Sequence, residues 1–212
     1  MDDSELLPGA FANRAVHMLE VRHRLWLRAG NRVANLNAAL FAQGGISLVE
    51  YAWALYEFRD NPRVANSLLR LKDDLLELAR SVGVKNAWEP EDLLEVSRVV
   101  ALLLWMRQAC KAEGLKARNC LSSVANYALS KALDEYRGTV VDRIPLYFLR
   151  FELYQQVASD AMAARDCLSF VAELIPLLPA EARPETSYML AVKYLELWHP
   201  VEWFKWRLKS FA

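Results

Sequence analysis

Glycine is scarce: there are seven in 212 residues, and most sit between apolar runs. β-rich folds spend glycine on turns and bulges, so the scarcity points away from them and toward helices. No period-2 alternation of apolar and polar residues persists, and Val140-Val141, the one β-branched pair in a strand-like setting, is too short to matter. Net charge is missing as well. Twenty-six Lys and Arg balance 26 Asp and Glu, so no global field draws the chain onto nucleic acid or anionic lipid. The longest unbroken apolar run, Val99 to Met106, falls far short of the roughly 20 residues that span a bilayer. Three cysteines (Cys110, Cys120 and Cys167) cannot all pair and lack metal-ligand spacing, which fits a reducing compartment. The opening Met-Asp-Asp-Ser-Glu is acidic where a signal or transit peptide is basic. A cytoplasmic location follows as the expectation.

What the chain does have is a succession of helix signals. With 54% apolar and 25% charged residues it is too apolar and too balanced to be disordered. An apolar face through Phe11, Ala15, Met18, Leu25, Ala29, Val33, Leu36 and Leu40 predicts a helix over about 9–43, closed by Gly44-Gly45. Ser47 and Glu50 form a capping box that opens a helix through Phe58. Pro62 starts the next, which runs to about Val82 before Gly83. Further helices are expected at about 90–114, 116–137, 145–175 and 184–197, with a short last one after His199-Pro200. The expected fold is therefore all-α: an irregular bundle or helical-hairpin array of seven to eight helices. Residues 1–212 read as a single domain, with a possible subdivision into 1–138 and 145–212. No repeat of 20–50 residues is convincing.

The first helix carries the clearest polar pattern. At 100° per residue Arg14, His17, Arg24, Arg28 and Arg32 fall in one narrow sector beside the apolar face, with no acid among them. Arginine forks at four-residue spacing suit phosphates or a row of carboxylates. The competing reading is a solvated face that pairs with the acidic stretch 47–100 of the same chain, which is the commoner fate of a charge run.

At the other end, Trp203 through Ala212 packs four aromatics and three bases into ten residues. On a helix Phe204, Leu208 and Phe211 share a face flanked by Trp203 and Trp206, a surface suited to a partner groove or to a membrane interface. A final helix that simply closes the core is the alternative. Lys205 to Ala212 also resembles the sliding-clamp-binding motif, whose pattern is Gln, two residues of any kind, an aliphatic, two more, then two aromatics. Leu208 and Phe211 hold the aliphatic and first aromatic positions, while Lys205 stands in place of Gln and Ala212 in place of the second aromatic. The resemblance covers eight residues and implies docking onto a sliding clamp.

Chemistry-bearing constellations are thin. His17 and His23 are six apart and face different sides of a helix, so no metal site is expected. Asp73-Asp74 with Glu77, and Glu91-Asp92 with Glu95, are explained by capping and solvation better than by acid/base work. No Walker loop, G-x-G-x-x-G or G-x-S-x-G occurs, and no cofactor is implied. Arg14 and His17 are too close for the Arg-x4–6-His signature of helical HEPN-type nucleases. A denser aromatic patch (Tyr147, Phe148, Phe151 and Tyr154, with Arg143 and Arg150) suits core packing better than base stacking.

The expected function is a non-enzymatic interaction or scaffold subunit of a larger assembly, with a nucleoprotein complex as one candidate. Arg14, His17, Arg24, Arg28 and Arg32 would meet phosphates or an acidic partner, and Trp203, Phe204, Trp206, Leu208 and Phe211 would make a second contact. A protein partner or self-association fits this pattern, nucleic acid is possible, and a membrane is not expected. Two alternatives stand beside it: a direct nucleic-acid-binding module, and a helical enzyme whose site draws on distant residues such as Glu20, Asp73 or Glu95.

Overall fold

A computed structural model describes residues 8–82, 88–158 and 161–211, without the side chains of 8–16, 112 and 158. Among the described residues there are ten α-helices and no strand. They are α1 (Pro8–Ala42), α2 (Leu48–Tyr56), α3 (Pro62–Leu69), α4 (Lys72–Ser81), α5 (Pro90–Ala109), α6 (Leu115–Glu135), α7 (Ile144–Leu153), α8 (Ala161–Leu174), α9 (Arg183–Glu196) and α10 (Pro200–Lys209). The all-α class holds, and the higher count has two causes. The helix expected over 62–82 breaks at Arg70-Leu71, where the Leu71 N–H donates to the Leu68 carbonyl at 3.0 Å. Asp73 and Asp74 then lie in a fresh first turn, where the helix dipole favours acids. The helix expected over 145–175 is interrupted by a π-helical turn at Tyr154–Ala158.

The helices group into two compact units, Met1–Leu71 and Lys72–Ala212. The linker expected at 139–144 falls inside the second.

In the first unit α1 packs against α2 and α3. Gly44, at φ +71°, ends α1 in the left-handed conformation that glycine adopts without strain. The expected capping box is formed: the Ser47 N–H donates to Glu50 Oε2 at 2.8 Å, and the Glu50 N–H to Ser47 Oγ at 3.2 Å. Asn61 joins two helices. Its Oδ1 accepts the Arg63 N–H at 3.1 Å, capping α3, while its Nδ2 donates to the Leu27 carbonyl of α1 at 3.1 Å. The side chain is buried, so both ends of the amide are satisfied where water does not reach. Val49, Ala52, Leu55, Val64 and Leu68 form the core beside it.

In the second unit α5 and α6 make an antiparallel hairpin across residues 110–114, and α4 packs on both helices. The helix pairs α7–α8 and α9–α10 enclose a second cluster around Phe148, Phe151, Leu168, Val171, Leu190, Tyr194 and Trp206. The α6–α7 connection is strapped shut. The buried Tyr136 donates its phenol proton to the Asp142 carboxylate, and Arg143 donates to the Tyr136 carbonyl.

The α9–α10 turn is unusual. Trp198 holds φ +57°, where glycine is the usual occupant, and the His199 N–H reaches back to the Tyr194 carbonyl at 3.0 Å. This is a Schellman-type helix end built on an aromatic residue. No helix among the described residues is long and apolar enough to cross a membrane.

Candidate functional site

Residues 17–25 of α1 are all exposed, on every side of the helix. Nine consecutive residues of a packed helix would bury at least one stripe, so among the described residues nothing supplies the cover that the apolar side chains of this stretch call for. Met18 is 57% exposed and Leu25 58%, and Leu36, further along, is 62% exposed. The side chain of Arg14 lies outside the described residues, but His17, Arg24, Arg28 and Arg32 are exposed beside this apolar strip.

Arg24 meets Glu20 at 3.5 Å, a loose i,i+4 pair with both side chains in solvent, worth only a few tenths of a kcal/mol. Arg28 and Arg32 make no ion pair or hydrogen bond with any described residue. Successive guanidiniums at i,i+4 spacing rise about 6 Å along the axis. The stripe can therefore present a row of free forks next to exposed Leu and Met. His23 lies apart from it, its ring stacked on Trp26 at 6.1 Å.

The C-terminal residues separate into two groups. Trp206 is buried in the second unit's core, and Trp203 packs against that core. Phe204, Leu208 and Phe211 face outward and are 57%, 55% and 71% exposed. Val201 and Trp198 extend the same exposed surface. Positions 201, 204, 208 and 211 follow a 3-4-3 spacing, which is one helix face. Among the bases, Lys205 pairs with Glu202 at 3.2 Å, and the Arg207 guanidinium lies over the Phe211 ring at 4.2 Å. Thus α10 both closes the core and presents an apolar face outward.

The residues considered for a hidden enzymatic site are dispersed. Glu20, Asp73 and Glu95 are all exposed. Glu95 borders a small cleft with Asp92, Leu78 and Val99, in which the Asp92 carboxylate accepts the Glu89 N–H at 2.7 Å as a helix cap. Among the described residues no group of His, Cys, Asp or Glu is arranged to hold a metal ion.

Two features went unnoticed in the sequence. One is a groove between α6 and the π-turn, with Asn119, Ser122, Ser123 and Asn126 on the α6 side and Leu153, Tyr154 and Val157 opposite them. The other is Arg107, buried at the end of the otherwise apolar line Val96, Val100 and Leu103. The signal was available: a charge on the core face of a helix whose neighbours at i−4 and i−7 are aliphatic.

No family model, curated protein or solved structure matches the chain.

Proposed function

We propose that this chain is an interaction subunit that binds an anionic partner along α1 and makes a second apolar contact through α10. The observation that carries the reading is the exposed stretch of α1. Free arginines there adjoin leucine and methionine side chains that no described residue covers, and a large apolar patch with a charged rim is the usual mark of a binding surface. The exposed face of α10 supports it independently.

The test uses exposed positions, so that folding is left intact. Light scattering and native co-purification of the full chain should reveal self-association or a partner. The double variant Leu25→Glu, Leu36→Glu should lose that association while keeping its helical circular dichroism. A strictly monomeric chain with no binder would overturn the reading.

A second reading, direct binding of nucleic acid, is favoured by the line of Arg24, Arg28 and Arg32. It expects a salt slope of about −0.9 per phosphate contact, so about −3 for these three arginines. Binding that is indifferent to salt would remove it.

A further inference from the structure

Arg107 is 94% removed from solvent, since only 6% of its surface is exposed. Its Nε is shielded from water with no acceptor, and the side chain makes no hydrogen bond or ion pair with any described residue. A buried guanidinium is normally matched by a carboxylate, because an unmatched one retains its full desolvation cost. Here the charge that acts on it has the same sign. Burial and the nearby Arg118 both push the Arg107 guanidinium below its ordinary pKa.

The fold explains why the two meet. Arg107 ends the core-facing line 96, 100, 103, 107 of α5, and Arg118 begins the core-facing line 118, 122, 125, 129 of α6. The hairpin turns at 110–114, which sets position 118 across from position 107. Arg118 Nε is likewise shielded and unpartnered.

The only carboxylate of the connecting turn, Glu113, is engaged elsewhere, with Lys72 Nζ at 2.6 Å. The first turn of α6 adds positive potential, for it has no side-chain cap and no acidic residue. One turn along from Arg118, Ser122 donates its hydroxyl to the Arg118 carbonyl at 2.9 Å and borders the groove that Asn119, Ser123 and Asn126 share with Leu153, Tyr154 and Val157.

From these residues we infer that Arg107 and Arg118 form a binding site for a compact oxyanion, the phosphate group of a small ligand whose remainder reaches the neighbouring groove between α6 and the π-turn. Two guanidinium forks supply the directed donors that a tetrahedral oxyanion accepts, and the site's burial admits a terminal phosphate in preference to a continuous polymer backbone. This assignment uses no residue of α1 or α10 and stands or falls without them.

The full chain, with its arginine Nε–Hε groups labelled for NMR, is titrated with inorganic phosphate and, in a second arm, with phosphoserine, at fixed ionic strength. Arg107 and Arg118 should shift saturably in at least one arm, with exposed Arg165 as the unmoved reference. Saturation with phosphate marks a free-phosphate site, and saturation with phosphoserine alone marks a monoester site. Arg118→Gln should weaken binding at least about ten-fold, and Arg107→Lys should weaken it while keeping the charge. Shifts that rise linearly in both arms, or that are shared equally by Arg165, would overturn the assignment. So would equal affinity in wild type and Arg118→Gln.

Discussion

A methyl group placed on Gly138 would overlap the phenol of Tyr136, its ring as well as its hydroxyl. The ring cannot yield freely. It is buried, its hydroxyl is bound to Asp142, and Arg143 grips the Tyr136 carbonyl from the other side. Gly138→Ala therefore forces either the phenol out of its seat or the 136–143 turn away from α6. Overpacking of this kind costs about 1–3 kcal/mol. A new side chain also restricts the unfolded chain, returning about 0.4–1 kcal/mol. The net expectation is a loss of roughly 1–2 kcal/mol, which for a chain of this length lowers Tm by about 2–8 °C. Urea unfolding followed by circular dichroism reads the change directly. The decisive control is a double-mutant cycle with Tyr136→Ala, in which the alanine at 138 meets no ring and should cost nothing or stabilise slightly. A Gly138→Ala protein as stable as wild type, or one equally destabilised with and without the Tyr136 ring, would refute the reasoning.

Asn61→Ala removes both the α3 cap and the bridge to the Leu27 carbonyl, and should cost roughly 2–3 kcal/mol by thermal or urea unfolding. Asn61→Asp, which keeps the cap oxygen, should recover part of that. Trp198→Gly should raise stability by about 1 kcal/mol, because a 90%-exposed side chain in the left-handed region contributes strain with little burial; an unchanged or lower Tm would contradict this. Of the three thiols, exposed Cys120 should react with iodoacetamide in the folded protein while buried Cys110 and Cys167 do not, and mass spectrometry of the native adduct should show one label. Burial raises the Cys167 thiol from 9.0 to about 11. Its contribution to stability is therefore complete below pH 9 and declines as pH rises toward 11, since the unfolded chain releases that proton first. Cys167→Ala should show a shallower fall in stability across that window, and an identical slope would count against it.

Much of the fold was legible because its signals are local. Gly44, the Ser47–Glu50 box, Pro62 and Pro90 each act through their own backbone, so the boundaries they set appear where expected. The break at Arg70-Leu71 carries no glycine or proline, and neither does the π-turn at Tyr154–Ala158. Nothing in the local pattern forbids a continuous helix there, and tertiary packing decides it. The surfaces divide in the same way. Periodicity placed Phe204, Leu208 and Phe211 on one face, but it gave no means of telling that Trp206 turns inward, because an aromatic residue serves core and surface equally well at that spacing. Arg107 illustrates the converse: its position on an apolar stripe was visible, whereas its lack of an ion-pair partner among the described residues is a property of the assembled hairpin.

The turn at Trp198 has a consequence for how α10 meets anything. Two backbone hydrogen bonds and an anchored Trp206 hold the helix in place, so Val201, Phe204, Leu208 and Phe211 already stand in register before an encounter. A surface prepared in this way forfeits little freedom on docking, unlike a tail that must first coil. Under the proposed contact, selectivity at that end of the molecule would rest on the shape of this pre-formed apolar face, because the backbone turn at Trp198 sets the direction of α10.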